Sequence, residues 1–399
     1  MDGPRVAVVG GSLGGLIAAL VLRDAGCDVT VHERSRSRLE GRGAGIVLHP
    51  ETVRYLEANR LLDLERVSSS AKVLRYLTRA GDVLLDQPVN YLFTSYATLY
   101  AALLGVMDPD RYRLGSELVD VDQDRDGVIM RFADSSTRAC DLLVGADGIH
   151  STVRRLLFPE VNPAYAGYVG WRGTLDVWAL PAASPGLVSH LTYFVGERSH
   201  VLSYPIPWAA TAGGTSMNWV WYRNVARDEL ADLMTDRSGV RHDLSLPPGA
   251  AGSEHVAALR EAARDRLPRQ LAALVEASAD PFVQVIVDVE VPRMVEGRVC
   301  LVGDAAFTLR PHIAAGTAKA AADAHALGEA IAVADGDVPR ALASWQPAQL
   351  ALGRATVARA REVGDRVQSA GTYVPGDPSV MFGLREPGDS SFPPGRLGR

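Results

Sequence analysis

Cysteine is scarce in this 399-residue sequence, and its few cysteines form no redox or metal-binding pattern. Cys27, Cys140 and Cys300 lie far apart, each inside or beside an apolar run, and no C-x-x-C spacing occurs. We interpret them as buried structural thiols, which fits a reducing cytoplasm, and we predict no metal site.

Long runs of positive charge and of apolar residues are also missing. The formal net charge is −6 with no block of Lys and Arg, which argues against a nucleic acid partner because phosphate binding needs a basic surface. No N-terminal signal pattern occurs, and no apolar run approaches the roughly 20 residues of a membrane span. The sequence therefore predicts a cytoplasmic protein without a membrane or nucleic acid partner.

The sequence does contain enough apolar residues for a large core. Hydrophobic residues make up 47% of the chain, and its length predicts two closely joined domains. Residues 5–9, 14–24 and 28–32 read as strand, helix and strand, a βαβ start. From 165 to 290, aromatic and β-branched runs predict a mainly antiparallel sheet covered by helices at 227–234 and 254–277, the second broken near Pro268.

The predicted fold class is α/β, with a Rossmann-like nucleotide-binding domain interleaved with an antiparallel substrate domain and followed by C-terminal helices. We assign residues 1–70, 95–164 and 291–368 to the nucleotide-binding domain and its C-terminal helices. Residues 71–94 and 165–290 form the predicted substrate domain. Pro and Gly are frequent in 369–399, which predicts an extended or frayed tail.

A Gly-rich turn follows the first strand. Gly10 and Gly15 match the outer positions of a dinucleotide-binding fingerprint, and Ser12 stands at the middle one. The helix that starts there offers N–H groups to a pyrophosphate, and Glu33, at the end of the second strand, is placed to bind an adenosine ribose. The alternative is a tight turn that serves packing alone. No second fingerprint follows, which argues against the two-nucleotide disulfide reductases.

Three further segments carry a family resemblance. GRGAGI at 41–46, GADGIHSTVR at 145–154 and VGDAAFTLRP at 302–311 resemble the single-component flavoprotein aromatic hydroxylases of the p-hydroxybenzoate hydroxylase type. The similarity covers nearly the whole chain in the same order. FTSY at 93–96, YAGYVGWRG at 165–173 and RPHIAAGTAKA at 310–320 most resemble the 2,6-dihydroxypyridine 3-monooxygenase branch.

The resemblance implies a bound FAD and a set of residues around it. Asp304 would bind the ribityl chain, Asp147 would lie near the pyrophosphate, and Leu118 would contact the adenosine through its backbone. A helix cap is the alternative role for Asp304, and a turn-forming Asp-Gly pair is the alternative for Asp147. The full predicted cofactor set is Gly10, Ser12, Gly14, Gly15, Glu33, Arg34, Arg42, Gly45, Leu118, Asp147, Gly148, Arg154, Gly303, Asp304, Gly316 and Thr317.

Three positions depart from the broader family pattern. Ala314 and Ala318 stand where relatives have glycine and asparagine, and Tyr96 stands where many place an FAD-binding arginine. The dihydroxypyridine branch shares these changes. They leave open which group neutralises the flavin phosphate.

The resemblance also implies the reaction. NADH or NADPH would reduce FAD, and the reduced flavin would capture O2 as a C4a-hydroperoxide whose distal oxygen is transferred to an electron-rich hydroxylated aromatic or heteroaromatic ring. Residues 312–317 would lead into a helix whose positive end stabilises charge on the flavin. The middle sheet would cover a dry pocket. A homodimer is suggested by the resemblance alone.

Two residues are predicted to be catalytic. His312 is our first candidate for a base or hydrogen-bond relay, and Tyr204 is the second. A histidine that satisfies backbone groups at a helix start is the alternative for His312. Predicted substrate contacts are His49, Trp171, Tyr193, Trp219 and Pro311, against the alternatives of a loop histidine and of aromatic residues that pack a core.

Three other functions remain open at this point. The same flavin chemistry would serve a larger phenolic or polyketide substrate. A flavin halogenase shares the fold but is expected to carry W-x-W-x-I-P, whereas residues 219–224 read WVWYRN. A non-catalytic flavoprotein would keep Asp304 without oxygen chemistry.

Overall fold

The structure is a computed structural model that describes residues 3–39, 45–180, 186–207 and 214–393. Its first half contains β1 (Arg5–Val9), α1 (Leu13–Asp24), β2 (Asp28–Glu33), β3 (Gly45–Leu48), α2 (Pro50–Ala58), α3 (Leu64–Val67), β4 (Ser69–Leu77), β5 (Val83–Ser95), α4 (Tyr96–Leu104), β6 (Tyr112–Leu114), β7 (Leu118–Gln123), β8 (Val128–Phe132), β9 (Thr137–Cys140), β10 (Leu142–Gly145), α5 (Thr152–Leu157) and β11 (Ala164–Asp176). Its second half contains β12 (Leu191–Gly196), β13 (Ser199–Pro207), β14 (Thr215–Asn224), α6 (Leu230–Leu233), β15 (Ser245–Leu246), α7 (Ser253–Arg266), α8 (Arg269–Ala277), β16 (Phe282–Glu290), β17 (Val295–Glu296), β18 (Val299–Leu301), β19 (Phe307–Thr308), α9 (Gly316–Val333) and α10 (Val338–Gln368).

The first sheet has six strands in the order β17-β18-β10-β1-β2-β6. Strands β18, β10, β1, β2 and β6 run parallel to their neighbours, and β17 pairs antiparallel with β18. The central strands are almost wholly buried and apolar, as expected for a parallel sheet covered on both faces. Their carboxyl ends meet at one edge, the usual place for a ligand in such a sheet. The βαβ start and the Rossmann-like class are confirmed.

The second sheet has ten strands and follows β15-β16-β11-β14-β13-β12-β4-β5-β3, with β19 added beside β16. All pairs are antiparallel except β12 with β4. This confirms the mainly antiparallel middle region. A third, three-stranded sheet is formed by β7, β8 and β9. The domain boundaries themselves stay a prediction.

Helices α7 and α8 cover one face of the second sheet. The chain leaves helical geometry at Leu267, and Pro268 precedes α8, which matches the predicted break. Leu259 and Leu271 pack with sheet residues such as Trp219 in one buried apolar cluster. The opposite face therefore remains available to a site.

Helix α9 lies directly against α1. A Cβ on Gly328 would lie 2.4 Å from the Val21 Cγ1 atom, so the backbones approach more closely than ordinary side chains allow. Cys300, Ala321 and Ala324 belong to the same core cluster as the buried face of α1. This packing fixes the N-terminal ends of both helices near the carboxyl edge of the first sheet.

The segment after α10 differs from the prediction of a frayed tail. It contains little regular structure, but Phe382 and Phe392 are buried. The backbone N–H of Phe392 donates to the Asn90 carbonyl oxygen at 3.0 Å, a normal hydrogen-bond distance. Apolar residues among the prolines therefore anchor the segment up to residue 393. Within the described ranges, no helix is long and apolar enough to cross a membrane.

Candidate functional site

The turn after β1 brings backbone N–H groups to the carboxyl edge of the first sheet. Gly10 has a φ of 106°, and a Cβ on it would lie 2.4 Å from the Ala146 carbonyl oxygen. A Cβ on Gly15 would lie 1.8 Å from the Gly10 carbonyl oxygen. The N-cap residue of α1, Ser12, forms no side-chain cap, so the first N–H groups of this helix are free for an anion.

Glu33 holds this turn from the end of β2. Its buried carboxylate accepts hydrogen bonds from the backbone N–H groups of Gly11 and Ser35, each at 2.8 Å. A carboxylate has further lone pairs, so these two bonds leave it able to accept a hydroxyl donor.

A cavity of about 390 Å³, here called the N-terminal cavity, opens beside this turn. It is lined by seven residues of the predicted cofactor set: Gly10, Ser12, Glu33, Arg34, Leu118, Asp147 and Gly148. Tyr96 also lines it, and the Tyr96 hydroxyl lies 2.8 Å from the Ser12 hydroxyl. Arg42 lies outside the described residues.

A second cavity of about 470 Å³, the central cavity, continues from the first. Its predicted lining residues are Ser12, Gly14, Gly45, Gly148, Gly303, Asp304, Gly316 and Thr317. A Cβ on Gly14 would lie 3.1 Å from the Ala320 Cβ atom, and a Cβ on Gly303 would lie 2.9 Å from it. Glycine at both positions keeps this wall thin, which suits a ligand that passes between α1 and α9.

Asp304 lies where the central cavity meets a third one. Gly303 before it has a φ of 57°, and its N–H donates to the Asp323 carboxylate at 2.9 Å. Burial raises the pKa of Asp304 to about 6, opposed by the positive charges of Lys319 and Arg154. Among the described residues nothing donates to the Asp304 carboxylate, so it is not a helix cap and is free for a ligand hydroxyl.

Asp147 and Arg154 stabilise the loop after β10. The Asp147 carboxylate accepts hydrogen bonds from the Ser151 hydroxyl at 2.5 Å and from the Thr152 N–H at 2.6 Å. Asp147 therefore stabilises this turn, which was the alternative to a role near the pyrophosphate. The buried Arg154 guanidinium donates to the Ala305 carbonyl oxygen at 3.0 Å. Arg154 lines none of the three cavities, and its role toward a cofactor stays a prediction.

The third cavity, about 220 Å³, lies between the second sheet and the segment 309–317, and we call it the sheet cavity. It contains four of the predicted catalytic and substrate residues: Tyr193, Tyr204, Pro311 and His312. It shares Gly45, Asp304, Gly316 and Thr317 with the central cavity. The three cavities therefore form one continuous path.

His312 combines one firm hydrogen bond with one open nitrogen. Its Nε2 atom lies 2.6 Å from the Tyr168 hydroxyl, whereas its Nδ1 atom has no partner among the described residues. Burial, the nearby His200 and the charge of Arg310 lower the pKa of His312 well below its ordinary value. The imidazole is therefore neutral near pH 7.

His49 does not line the sheet cavity, and its predicted substrate contact stays a prediction. Burial lowers its pKa to about 4, and its Nε2 atom lies 2.9 Å from the Ala314 carbonyl oxygen. Ala314 has a φ of 54°, in the left-handed region that a residue with a Cβ seldom adopts. A neutral His49 donates to this carbonyl group and holds the strained turn in place.

Trp171 and Trp219 are wrong as substrate contacts. Both lie on the helix-covered face of the second sheet, and the Trp219 indole N–H donates to the Ser278 hydroxyl at 2.8 Å. Side chains alternate between faces along a strand, so Tyr204 and Trp219 point in opposite directions although their strands are neighbours.

The residues of the sheet cavity that the sequence analysis missed include Arg172, His200, Tyr222 and Gln284. His200 lies opposite Tyr222, and Gly170 lies opposite both Tyr222 and Gln284. All therefore share one face, with Arg172 two residues beyond Gly170. The alternation around Tyr204 would have found them only with the strand register known.

Comparisons with known proteins agree with this geometry. The description "FAD binding domain-like" matches residues 165–288, and "FAD binding domain" matches residues 262–360. The chain is 39% identical to the 2,6-dihydroxypyridine 3-monooxygenase of Paenarthrobacter nicotinovorans, covering 95% of this chain and 96% of that protein. It is 29% identical to a 3-amino-4-hydroxybenzoate 2-monooxygenase of Streptomyces platensis, covering 90% and 88%.

A solved structure supports the same assignment. The 2,6-dihydroxypyridine-3-hydroxylase from Arthrobacter nicotinovorans superposes with a TM-score of 0.91 at 38% identity, covering 96% of this chain and 98% of that one. The thin glycine walls, the uncapped α1 start and the free Asp304 carboxylate fit an extended FAD. The chain belongs to the single-component FAD-dependent aromatic monooxygenases.

Proposed function

We propose that this monooxygenase hydroxylates a small, electron-rich hydroxylated heteroaromatic ring of the dihydroxypyridine type, with NADH or NADPH as reductant and O2 as oxidant. The sheet cavity carries the proposal, because its volume of about 220 Å³ suits a single ring. Pockets for drug-sized ligands span roughly 300–1,000 Å³. The size therefore favours one ring over a polyketide.

The cofactor residues act by position and charge. FAD, when bound, supplies the redox and oxygen-transfer chemistry. We assign the free N–H groups at the start of α1 to its pyrophosphate and Glu33 to its ribose. Asp304, which has no donor among the described residues, would accept hydrogen bonds from the ribityl hydroxyls.

The start of α9 would act on the ring end of the cofactor. Gly316 and Thr317 line both the central and the sheet cavities, and the N-cap residue Ala315 offers no side-chain cap. The positive end of this helix therefore faces the region where negative charge develops on a reduced cofactor.

His312 would hold a substrate hydroxyl through its open Nδ1 atom. This requires the tautomer in which Nε2–H donates to the Tyr168 hydroxyl and leaves a lone pair on Nδ1. Because burial lowers the pKa of His312 well below its ordinary value, His312 is a weak base. We assign it the role of hydrogen-bond acceptor that orients the ring.

The proposal also covers the cellular compartment, the oligomeric state and the reductant of the enzyme. Cys27, Cys140 and Cys300 are free and buried, which supports a reducing cytoplasm. A homodimer stays a prediction. The same holds for the choice between NADH and NADPH.

A substrate screen tests the reaction. The yellow holoenzyme is mixed with NADH or NADPH and with dihydroxypyridines, hydroxybenzoates or simple phenols, and reductant oxidation, O2 uptake and hydroxylated product are measured together. We expect dihydroxypyridines to give the largest stimulation with product matching O2 consumed. If no dihydroxypyridine raises oxidation above the basal rate, the substrate assignment fails.

Two variants separate the assigned roles. Asp304→Ala should lose most of its FAD on gel filtration, because the ribityl hydroxyls lose their acceptor, whereas the exposed Asp126→Ala should retain it. His312→Ala should keep FAD but yield less product for each reductant oxidised. Full FAD content in Asp304→Ala, or unchanged coupling in His312→Ala, contradicts the corresponding role.

A further inference from the structure

Arg172 is an arginine of the site that forms no ion pair among the described residues. It lies in the middle of β11 and lines both the sheet cavity and the central cavity. Its Nε atom is buried without a partner, and among the described residues its guanidinium forms no ion pair or hydrogen bond. A buried donor left unpaired costs free energy, so a half-buried arginine that lines two cavities without a protein partner suits an anionic ligand.

Other arginines near the site already have protein partners, although the Nε atom of Arg154 also lacks one among the described residues. Arg310 donates to the carboxylates of Asp288 and Asp365, and the buried Arg154 donates to backbone carbonyl groups. These two guanidinium groups hold the protein together. Arg172 is different because it lines two cavities and, among the described residues, its guanidinium has no partner at all.

The charge of Arg172 acts mainly on the sheet cavity. Its positive charge opposes the rise that burial causes in the pKa of Tyr204 and of Tyr222. Both tyrosines line the sheet cavity and neither lines the central one. We assign the flavin phosphate instead to the start of α1, where Ser12 and Gly14 line the central cavity.

We propose that Arg172 binds an anionic ring oxygen of the substrate, so that the enzyme selects the hydroxylate form of its ring and holds it opposite His312. This rests on the proposed function and names the charge state that the site selects. The ring hydroxyl gives its proton to solvent on binding, and the anion that remains donates electron density to the ring. Arg172 thereby performs the stabilisation that a neutral His312 cannot provide.

The other titratable groups of the sheet cavity do not compete for this role. Burial raises the pKa of Tyr193, Tyr204 and Tyr222, so all three are neutral donors near pH 7. Burial lowers the pKa of His200 to about 3, which leaves it neutral as well. Asp304 carries no positive charge in either protonation state, so it cannot pair with an anionic ring oxygen. Arg310 already forms ion pairs with Asp288 and Asp365.

The test measures ligand binding to the oxidised holoenzyme without reductant, through the change in flavin absorbance. The probes are 2,6-dihydroxypyridine, the neutral isostere 2,6-dimethylpyridine at alkaline pH, and 4-hydroxybenzoate as a carboxylate. The variants are Arg172→Gln, Arg172→Lys and Arg75→Gln, which removes an arginine from the same sheet but far from the cavities.

We expect wild type to bind dihydroxypyridine more tightly as pH rises through the ionisation of its hydroxyl group. Arg172→Gln should weaken this binding by about 10- to 100-fold and flatten its pH dependence, because a charge-assisted hydrogen bond is lost. Dimethylpyridine should bind wild type and Arg172→Gln alike. Arg172→Lys should recover part of the affinity, and Arg75→Gln should match wild type.

Four results would overturn the proposal. They are equal loss of affinity for both pyridines, unchanged affinity of Arg172→Gln for dihydroxypyridine, partial loss of FAD from Arg172→Gln with unchanged affinity in the fraction that keeps it, and an Arg172-dependent preference for the carboxylate over the hydroxylate. The first indicates a structural role and the third a role toward the flavin. If wild type neither binds nor hydroxylates any ring of the screen, the proposed function itself fails and this inference fails with it.

Discussion

The two faces of the ten-stranded sheet are built from the same strands but have different roles. On the helix-covered face, Trp171, Trp219 and Trp221 pack in an apolar cluster, and the indole N–H groups of Trp219 and Trp221 find serine hydroxyl acceptors. On the cavity face, the Nε donor of Arg172 is buried and has no partner in the part of the chain that the structure describes. The first face stabilises the fold, and the second keeps polar groups open for a ligand.

The difference shows how one strand can both stabilise the fold and present groups to a ligand. Alternation places Trp171 and Arg172 on opposite sides although they are neighbours in sequence. Burying the tryptophans against α7 and α8 makes the sheet rigid. A rigid sheet then holds Arg172, His200 and Tyr222 in place without help from hydrogen bonds to each other.

The largest expected effect comes from the helix-covered face. Trp219→Ala should lower the free energy of unfolding by about 3–5 kcal/mol, because it leaves a cavity in a fully buried cluster. Urea unfolding of the holoenzyme at pH 7 measures it. The matched control is Trp178→Ala, whose side chain is 86% exposed and should change stability by no more than about 0.5 kcal/mol. A loss below about 1 kcal/mol for Trp219→Ala would break the distinction between the faces.

The next effect concerns acid stability and comes from the cavity face. Burial lowers the pKa of His200 to about 3, below the roughly 6.5 of an unfolded histidine, so the unfolded chain binds more protons between these values. Stability from this group is present above that window and is lost as pH falls through it. Between pH 7 and pH 5, each such histidine should cost about 2 kcal/mol.

His200→Phe isolates this contribution. The variant should lose about 2 kcal/mol less than wild type between pH 7 and pH 5, measured by urea unfolding at both values. Trp178→Ala should show the wild-type difference. An equal pH dependence in His200→Phe and wild type would mean that the pKa of His200 in the folded protein is close to that of an unfolded histidine.

Much of the fold could be predicted because its signals are local. The βαβ start, the Gly-rich turn and Asp304 each lie within one short segment, where strand pattern and glycine geometry act together. The sides on which Tyr204 and Trp219 lie could not be predicted in the same way, because one residue of register exchanges the two faces.

Residues that act through distant backbone groups were harder still. His49 reaches the Ala314 carbonyl group and Arg154 reaches that of Ala305, across 265 and 151 residues of sequence. No local pattern encodes such contacts. Both were expected at a ligand, whereas the folded chain uses them to hold the turns on which ligand-facing residues lie.

The smallest expected effect sharpens the description of the cavity face. The Tyr222 hydroxyl makes no hydrogen bond to the described residues, whereas the Tyr168 hydroxyl bonds to His312 at 2.6 Å. Tyr222→Phe should therefore change the free energy of unfolding by less than about 0.5 kcal/mol. Tyr168→Phe should cost about 1–3 kcal/mol, because it leaves the buried His312 Nε2 atom unsatisfied. Urea unfolding of both variants without substrate gives the comparison. A loss in Tyr222→Phe as large as that in Tyr168→Phe would show that the fold itself uses the Tyr222 hydroxyl, and that the cavity face is less open to a ligand than its unpaired groups indicate.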